Sequence, residues 1–269
     1  MRAVGGSILL VLLASVPASA TWSVVALDQR TGTIVVASAT CVPQASFLRR
    51  PSTGLRDIQA IVVPGIGAAA AQANVDNTRA NQRLIYAELQ KGTDPAQILE
   101  MLKADPNIES RQFGILDMKG RHTGWSGSKN LAAALHEQGQ VSGTGIWYSI
   151  QGNILMSDDV VHAAVAALTA EKGSLTDRVM AAMEAADAKG GDKRCTCDTE
   201  PKVNAPCSGK TAHVAYMLRA DKTDKNKESY NDGDYAMYIN VTNEDITPSE
   251  NANPVKTLRM RYDAWKKTH

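Results

Sequence analysis

The sequence lacks a surplus of charge of either sign, with 29 lysines and arginines against 28 aspartates and glutamates in 269 residues. That balance excludes the electrostatic footprint of a nucleic-acid binder and leaves no polybasic patch for a membrane surface. Beyond residue 20, no apolar run approaches the ~20 residues that a bilayer-crossing helix needs, and no lipid-anchor cysteine follows the opening segment. A Gly-x-Ser-x-Gly nucleophile elbow is missing, and Gly124-Trp125-Ser126-Gly127 is a superficial echo that reads as a loop. His122, His136, His162 and His213 are scattered without metalloprotease spacing, and the glycine clusters lack the strand-to-helix setting of a nucleotide fingerprint. No metal and no cofactor are expected. No internal repeat, low-complexity tract or composition break divides the chain.

What is present begins with a leader. Residues 1–20 hold one basic residue (Arg2), an apolar stretch over 8–14 and Ala18-Ser19-Ala20, the small-x-small pattern of a signal-peptidase site. Cleavage after Ala20 removes twenty of 269 residues and leaves a near-neutral single domain, 21–269, expected to be periplasmic or secreted. It also makes Thr21 the first residue. A terminal threonine carries a hydroxyl together with an α-amine that titrates at roughly 7.7–8.0 when unperturbed, which pairs a nucleophile with its own base. The competing readings are that signal peptidase favours any small residue at this place, and that cleavage after Ala18 leaves Ser19 first.

Four cysteines fit an oxidising compartment. Cys195 and Cys197 are too close in sequence to bridge each other, so Cys207 is expected to take one of them and Cys41 the other. Spacing does not say which. The alternative is a zinc site of thiolates with His213, although the spacing matches no standard ligand pattern.

Strand-like runs over 21–28 and 33–39 are joined by Gln29-Arg30-Thr31-Gly32, a hairpin connection, and both faces are apolar, so both should be buried. The pattern repeats at 59–63 and 67–72. Helices are expected over 77–91, ending at Gly92, and from Asp94-Pro95 onward. Another hairpin spans 111–118 and 121–125. After a glycine-punctuated stretch to Asn153 come helices at 158–171 and 174–188, the second with a Ser174/Asp177 capping box. A polar cysteine loop covers 190–210, strands lie at 211–219 and 235–241, and an amphipathic helix carries Val255, Leu258, Tyr262 and Trp265. Hairpins and helix pairs arrive in blocks, not in βαβ alternation. The fold class is therefore α+β, and a four-layer αββα sandwich of two stacked antiparallel sheets flanked by helices would bury every apolar face.

The opening Thr21-Trp22-Ser23-Val24-Val25-Ala26-Leu27-Asp28, then Thr31-Gly32 and Val35-Val36-Ala37-Ser38, resembles the start of the uncharacterised DUF1028 family, which is placed among the N-terminal nucleophile (Ntn) hydrolases. The likeness continues through Gly65-Ile66-Gly67 to Gln72, Gly92, Asp105, Arg111-Gln112, Asp117, Gly120, Thr123-Gly124, Gln151-Gly152-Asn153-Ile154-Leu155, Gly190-Gly191-Asp192-Lys193-Arg194 and Asn253-Pro254-Val255. The chain departs from that pattern between Thr40 and Pro51, where a glycine is missing, and in its longer cysteine loop.

The resemblance implies an Ntn-hydrolase-like αββα fold and an exported amidohydrolase that cleaves a small amide or peptide. Thr21 would be its nucleophile, and Asn153, on a glycine-flanked loop, would donate to the oxyanion. Asp192 would tune the amine. Ser38, Gln72 and Arg194 would contact substrate. Ser38 falls where proteasome-type enzymes keep an acid, and no lysine completes their arrangement. The alternative is a non-catalytic periplasmic protein that binds a small molecule on the same fold. The expected partner is a small amide or peptide, with no nucleic acid, no membrane after leader removal, and a homo-oligomer left open.

Overall fold

A computed structural model describes residues 21–49 and 52–269; the leader expected over 1–20 lies outside them. The fold is α+β, with two antiparallel sheets and seven α-helices among the described residues. In chain order the elements are β1 (Thr21–Asp28), β2 (Thr33–Thr40), α1 (Gln44–Leu48), α2 (Leu55–Gln59), β3 (Ala60–Val63), β4 (Gly67–Ala73), α3 (Ala80–Lys91), α4 (Pro95–Leu102), β5 (Arg111–Asp117), β6 (His122–Ser126), β7 (Leu135–Gln140), β8 (Ile146–Asn153), α5 (Asp159–Ala170), α6 (Leu175–Ala188), β9 (Val214–Ala220), β10 (Met237–Thr242) and α7 (Pro254–Lys266). The larger sheet runs β10-β9-β2-β1-β8-β7 and the smaller β3-β4-β5-β6.

Every residue of β1 and β2 is buried, as the two-sided apolar pattern requires. Alternation along β1 sends its residues to two different cores. Trp22, Val24 and Ala26 pack with Val161, Ala164, Leu168, Val179 and Met183 of α5 and α6. Val25 and Leu27 instead join Ala60, Val62, Ala68, Ala70 and Leu116 of the smaller sheet. That sheet's opposite face, Ile61, Ala69, Phe113 and Ile115, meets Ile85 and Leu89 of α3 and Ile98 and Leu102 of α4.

The helix boundaries follow local chemistry. Gly92 ends α3 with φ 75°, a left-handed conformation that favours glycine, and its N–H returns to the Glu88 and Leu89 carbonyls. Asp94 caps α4 by accepting from the Ala96 N–H at 2.9 Å, with Pro95 at the first helical position. Ser174 and Asp177 form a reciprocal capping box on α6. At its start, α3 is three residues shorter than expected from 77–91. The Asp76 carboxylate takes the Thr78 and Ala80 N–H groups in a turn, and Arg79 sits at φ 58° before the helix begins.

The cysteines pair as Cys41–Cys195 and Cys197–Cys207, and none is free. Cys207 takes one of the close pair and Cys41 the other, as expected. Cys41, Cys195 and His213 place ligand-type atoms within 4.8 Å of one another, but the two sulfurs are bonded together and are not the thiolates a zinc site needs. No helix among the described residues is long and apolar enough to cross a membrane.

Candidate functional site

The face of β1 that turns toward the smaller sheet changes character along its length. Val25 and Leu27 are apolar, whereas Ser23 and Thr21 at the strand's start are polar and buried. Neighbouring strands continue this polar band. Thr40 ends β2 beside Thr21, Gln151 and Asn153 end β8 opposite Ser23 and Thr21, and Gln72 and Gln112 reach in from β4 and β5. Buried polar groups in such a layer must satisfy one another.

Gln72 is the junction. Its Nε2 donates to the Thr21 carbonyl at 3.0 Å and to Gln112 Oε1 at 2.7 Å. Its Oε1 accepts from Ser23 Oγ and from Gln59 Nε2, both at 2.7 Å. All four bonding positions of the amide are filled. Gln59 in turn accepts from the Tyr216 hydroxyl at 3.1 Å, and burial pushes that phenol's pKa well above its ordinary value. Gln112 Nε2 donates to the Gly152 carbonyl at 2.8 Å and approaches Ser126 Oγ at 2.7 Å. Its Oε1 also accepts from Asn153 Nδ2 at 3.1 Å. This amide chain ties the two sheets together directly beneath the first residue of β1.

Thr21 is 3% exposed. Its hydroxyl donates to Thr40 Oγ1 at 3.3 Å, and the same Thr40 oxygen accepts the Val42 N–H at 3.2 Å. Thr21, Thr40, Gln59 and Gln72 line a narrow cavity of about 10 Å³, closed by Val42, Phe47, Leu55, Ile58 and Ala73 among others. That is room for about one water. Ala73 also lines a second pocket of about 100 Å³ with Asn153, Ser110, Lys129 and Asn130. Two non-glycine residues beside the pair Thr21–Asn153 have positive φ, Ala73 at 73° and Ile154 at 53°. Conformations of this kind persist where the surroundings hold them, and they gather at functional sites.

Of the six residues singled out in the sequence, Thr21 and Gln72 share one cavity and Asn153 lies opposite Thr21 in the strand register. Asn153 belongs to β8 and not to a loop. Gly152, expected in that loop, is a strand residue whose missing side chain makes room for Leu155. Ser38 donates to the Trp22 carbonyl at 2.6 Å and supports the strand pair. Asp192 and Arg194 stand apart from the cavity lining. Asp192 is fully buried, accepts the Cys41 N–H at 2.9 Å, and pairs with Arg194 Nη2 at 2.7 Å. They brace the residue that follows Thr40. The reading from sequence missed Thr40, Gln59 and Gln112. A signal for two glutamines was there: Gln72 and Gln112 are polar interruptions in the strands Gly-Ala-Ala-Ala-Ala-Gln-Ala and Arg-Gln-Phe-Gly-Ile-Leu-Asp.

The fold and site define an α+β protein of two antiparallel sheets, in which the opening threonine of the first strand lines a small, mostly apolar cavity beside a buried amide network. The chain belongs to the DUF1028 family, described as a family of unknown function, whose match covers residues 21–227. It is similar to a DUF1028-family protein from Silicibacter pomeroyi known by crystal structure, at 20% identity and a TM-score of 0.64 over 91% of this chain and 89% of that one. At that identity the likeness carries the fold alone. Among curated proteins none matches this chain.

Proposed function

We propose that this protein is an exported Ntn-type amidohydrolase on an αββα, Ntn-hydrolase-like sandwich, with Thr21 as nucleophile and its own α-amine as base once residue 20 is removed. The observation that carries this reading is the position of Thr21. It opens the central strand pair, it lines a cavity with Thr40, to which its hydroxyl donates, and its carbonyl is held by the fully bonded Gln72 amide. Three apolar cores, one between the sheets and one on the outer face of each, support the sandwich reading. The two disulfides support an exported protein.

In the full-length chain the Thr21 nitrogen is an amide and has no basicity. Proteolysis after residue 20 converts it to an amine able to take the hydroxyl proton as the oxygen attacks an amide carbonyl. Asn153 Nδ2 spends one N–H on Gln112, and a primary amide carries two; the second is the candidate oxyanion donor. Asp192 acts at one remove, holding Cys41 and so the end of β2.

The alternative is a non-catalytic binding protein on the same fold, and a cavity with room for about one water favours neither reading over the other. Turnover of a panel of small amides and peptides by protein beginning at Thr21 separates the two. The hydrolase reading expects activity that disappears in Thr21→Ala with the fold and ligand binding intact. Equal turnover by that variant removes Thr21 from the mechanism.

A further inference from the structure

We infer that the void lined by Thr21 is an acyl pocket, and that the substrates are amides of a short, uncharged acyl group, acetyl being the size that fits. The inference rests on the hydrolase reading of Thr21. In that reaction the Thr21 hydroxyl oxygen bonds to the acyl carbon, the bond from that carbon to nitrogen breaks, and the amine leaves with the hydroxyl proton. Water then takes the acyl group off the oxygen and restores the hydroxyl. The acyl fragment is thus the part of the substrate that stays tethered to Thr21, and a void lined by Thr21 is the place for its chain.

Size is the first restriction. Two spaces flank Ala73, which lines both: the void of about 10 Å³ with Thr21, and a pocket of about 100 Å³ with Ser110, Lys129, Asn130 and Asn153. Asn153, the candidate oxyanion donor, belongs to the larger one, which leaves the smaller for the acyl chain and the larger for the amine. Room for about one water is room for a group on the scale of a methyl. A longer chain meets Phe47 of α1 and Leu55 and Ile58 of α2, all of them buried.

Polarity is the second. No charged side chain lines the void among the described residues. Arg56 and Asp57, on the same helix as Leu55 and Ile58, stand outside the lining and pair with each other at 3.3 Å. The polar side chains of the lining serve one another. Gln72 has all four amide positions filled, Gln59 donates to Gln72 and accepts from Tyr216, and Thr21 donates to Thr40. A carboxylate on the acyl chain would be buried here without a cation to meet it, a penalty that a methyl group does not carry. The methyl instead leaves water for the walls of Val42, Phe47 and Val75.

The test uses protein beginning at Thr21 and the acetyl, butyryl, hexanoyl and succinyl amides of p-nitroaniline. From acetyl to butyryl, kcat/KM should fall about tenfold, the scale of overpacking a closed void. Succinyl has nearly the length of butyryl but ends in a carboxylate, and should be slower again by about a hundredfold, the scale of burying an unpaired charge. Phe47→Leu, which keeps the core apolar, should narrow the gap between acetyl and butyryl. Leu55→Ala should narrow it too where circular dichroism shows the protein folded. The same amides titrated into Thr21→Ala separate this inference from the reading it rests on. If the parent hydrolyses none of them while Thr21→Ala still binds acetyl more tightly than succinyl, the hydrolase reading fails and the pocket stands. Succinyl turned over as fast as butyryl, hexanoyl as fast as acetyl, an unchanged order in folded Phe47→Leu, or no preference in either turnover or binding overturns the inference.

Discussion

Gln72→Met is the sharpest structural probe of the site. Methionine keeps the approximate length and volume of the side chain but removes an amide that fills four hydrogen-bonding positions. Ser23 Oγ, Gln59 Nε2, the Thr21 carbonyl and Gln112 Oε1 each lose a partner. Gln112 Oε1 keeps Asn153, and a serine hydroxyl can rotate, so the cost falls mainly on two buried groups. At ~1–3 kcal/mol for each unsatisfied group, the expected loss is about 2–6 kcal/mol. That is a large share of the ~5–15 kcal/mol that holds a domain together. For a chain of this size it lowers Tm by about 4–24 °C, at roughly 2–4 °C per kcal/mol. Differential scanning calorimetry with urea unfolding reads the effect directly. Gln72→Glu is the control, because it keeps the acceptors and loses the donors, leaving the Thr21 carbonyl and Gln112 Oε1 facing a carboxylate. A Tm within 2 °C of the parent for Gln72→Met would mean that the amide chain does not hold this layer.

Three further predictions test other parts of the account. The Cys41–Cys195 bridge closes a separation of 154 residues and Cys197–Cys207 one of 10, so loop-closure entropy assigns about 5 and about 3 kcal/mol respectively. Double alanine variants should rank in that order in urea, and the reverse order would refute it. His213 is 1% exposed, and burial, followed by the Lys210 charge, depresses its pKa to about 4. Its unfolded pKa is about 6.5, so its contribution, about 3 kcal/mol at full extent, is present above pH 6.5 and lost as pH falls from there toward 4. His213→Gln should flatten stability over pH 6.5–4.5, and an unchanged slope counts against the assignment. Gly114 lies where the sheets approach so closely that a Cβ would strike Gln151 Oε1 and Ser149 Oγ. Gly114→Ala should therefore cost about 1–3 kcal/mol from overpacking, and a neutral result in thermal unfolding would show that the sheets can move apart.

Much of the architecture was legible because burial and periodicity agree. The β1–β2 hairpin shows as two β-branched runs around a glycine-ended turn, and α4 and α6 announce themselves through Asp94-Pro95 and Ser174/Asp177. What escaped lacks such signals. Strand β7, Leu-His-Glu-Gln-Gly-Gln, is a half-exposed edge with one apolar residue, so no alternation marks it. Helices α1 and α2 are five residues each, too short for a 3.6-residue pattern to register. The glycine before Asn153 reads as a loop signal in the sequence, whereas it serves packing against Leu155 within β8. The site was visible only in part. Thr21 stands out through the leader and Gln72 through an alanine strand, but Thr40 and Gln112 acquire meaning only when the register brings them to Thr21. Asp192 and Arg194 are close in sequence to each other and reach the site through Cys41, a connection made by tertiary structure.

The most direct measurement is the intact mass and N-terminal sequence of the protein recovered from the compartment to which it is exported. The account predicts a single chain that starts at Thr21, carries an unmodified α-amine, and contains both disulfides with no titratable thiol. A chain that starts at Ser19, retains residues 1–20, or bears a blocked terminus would contradict the claim that one threonine supplies both nucleophile and base.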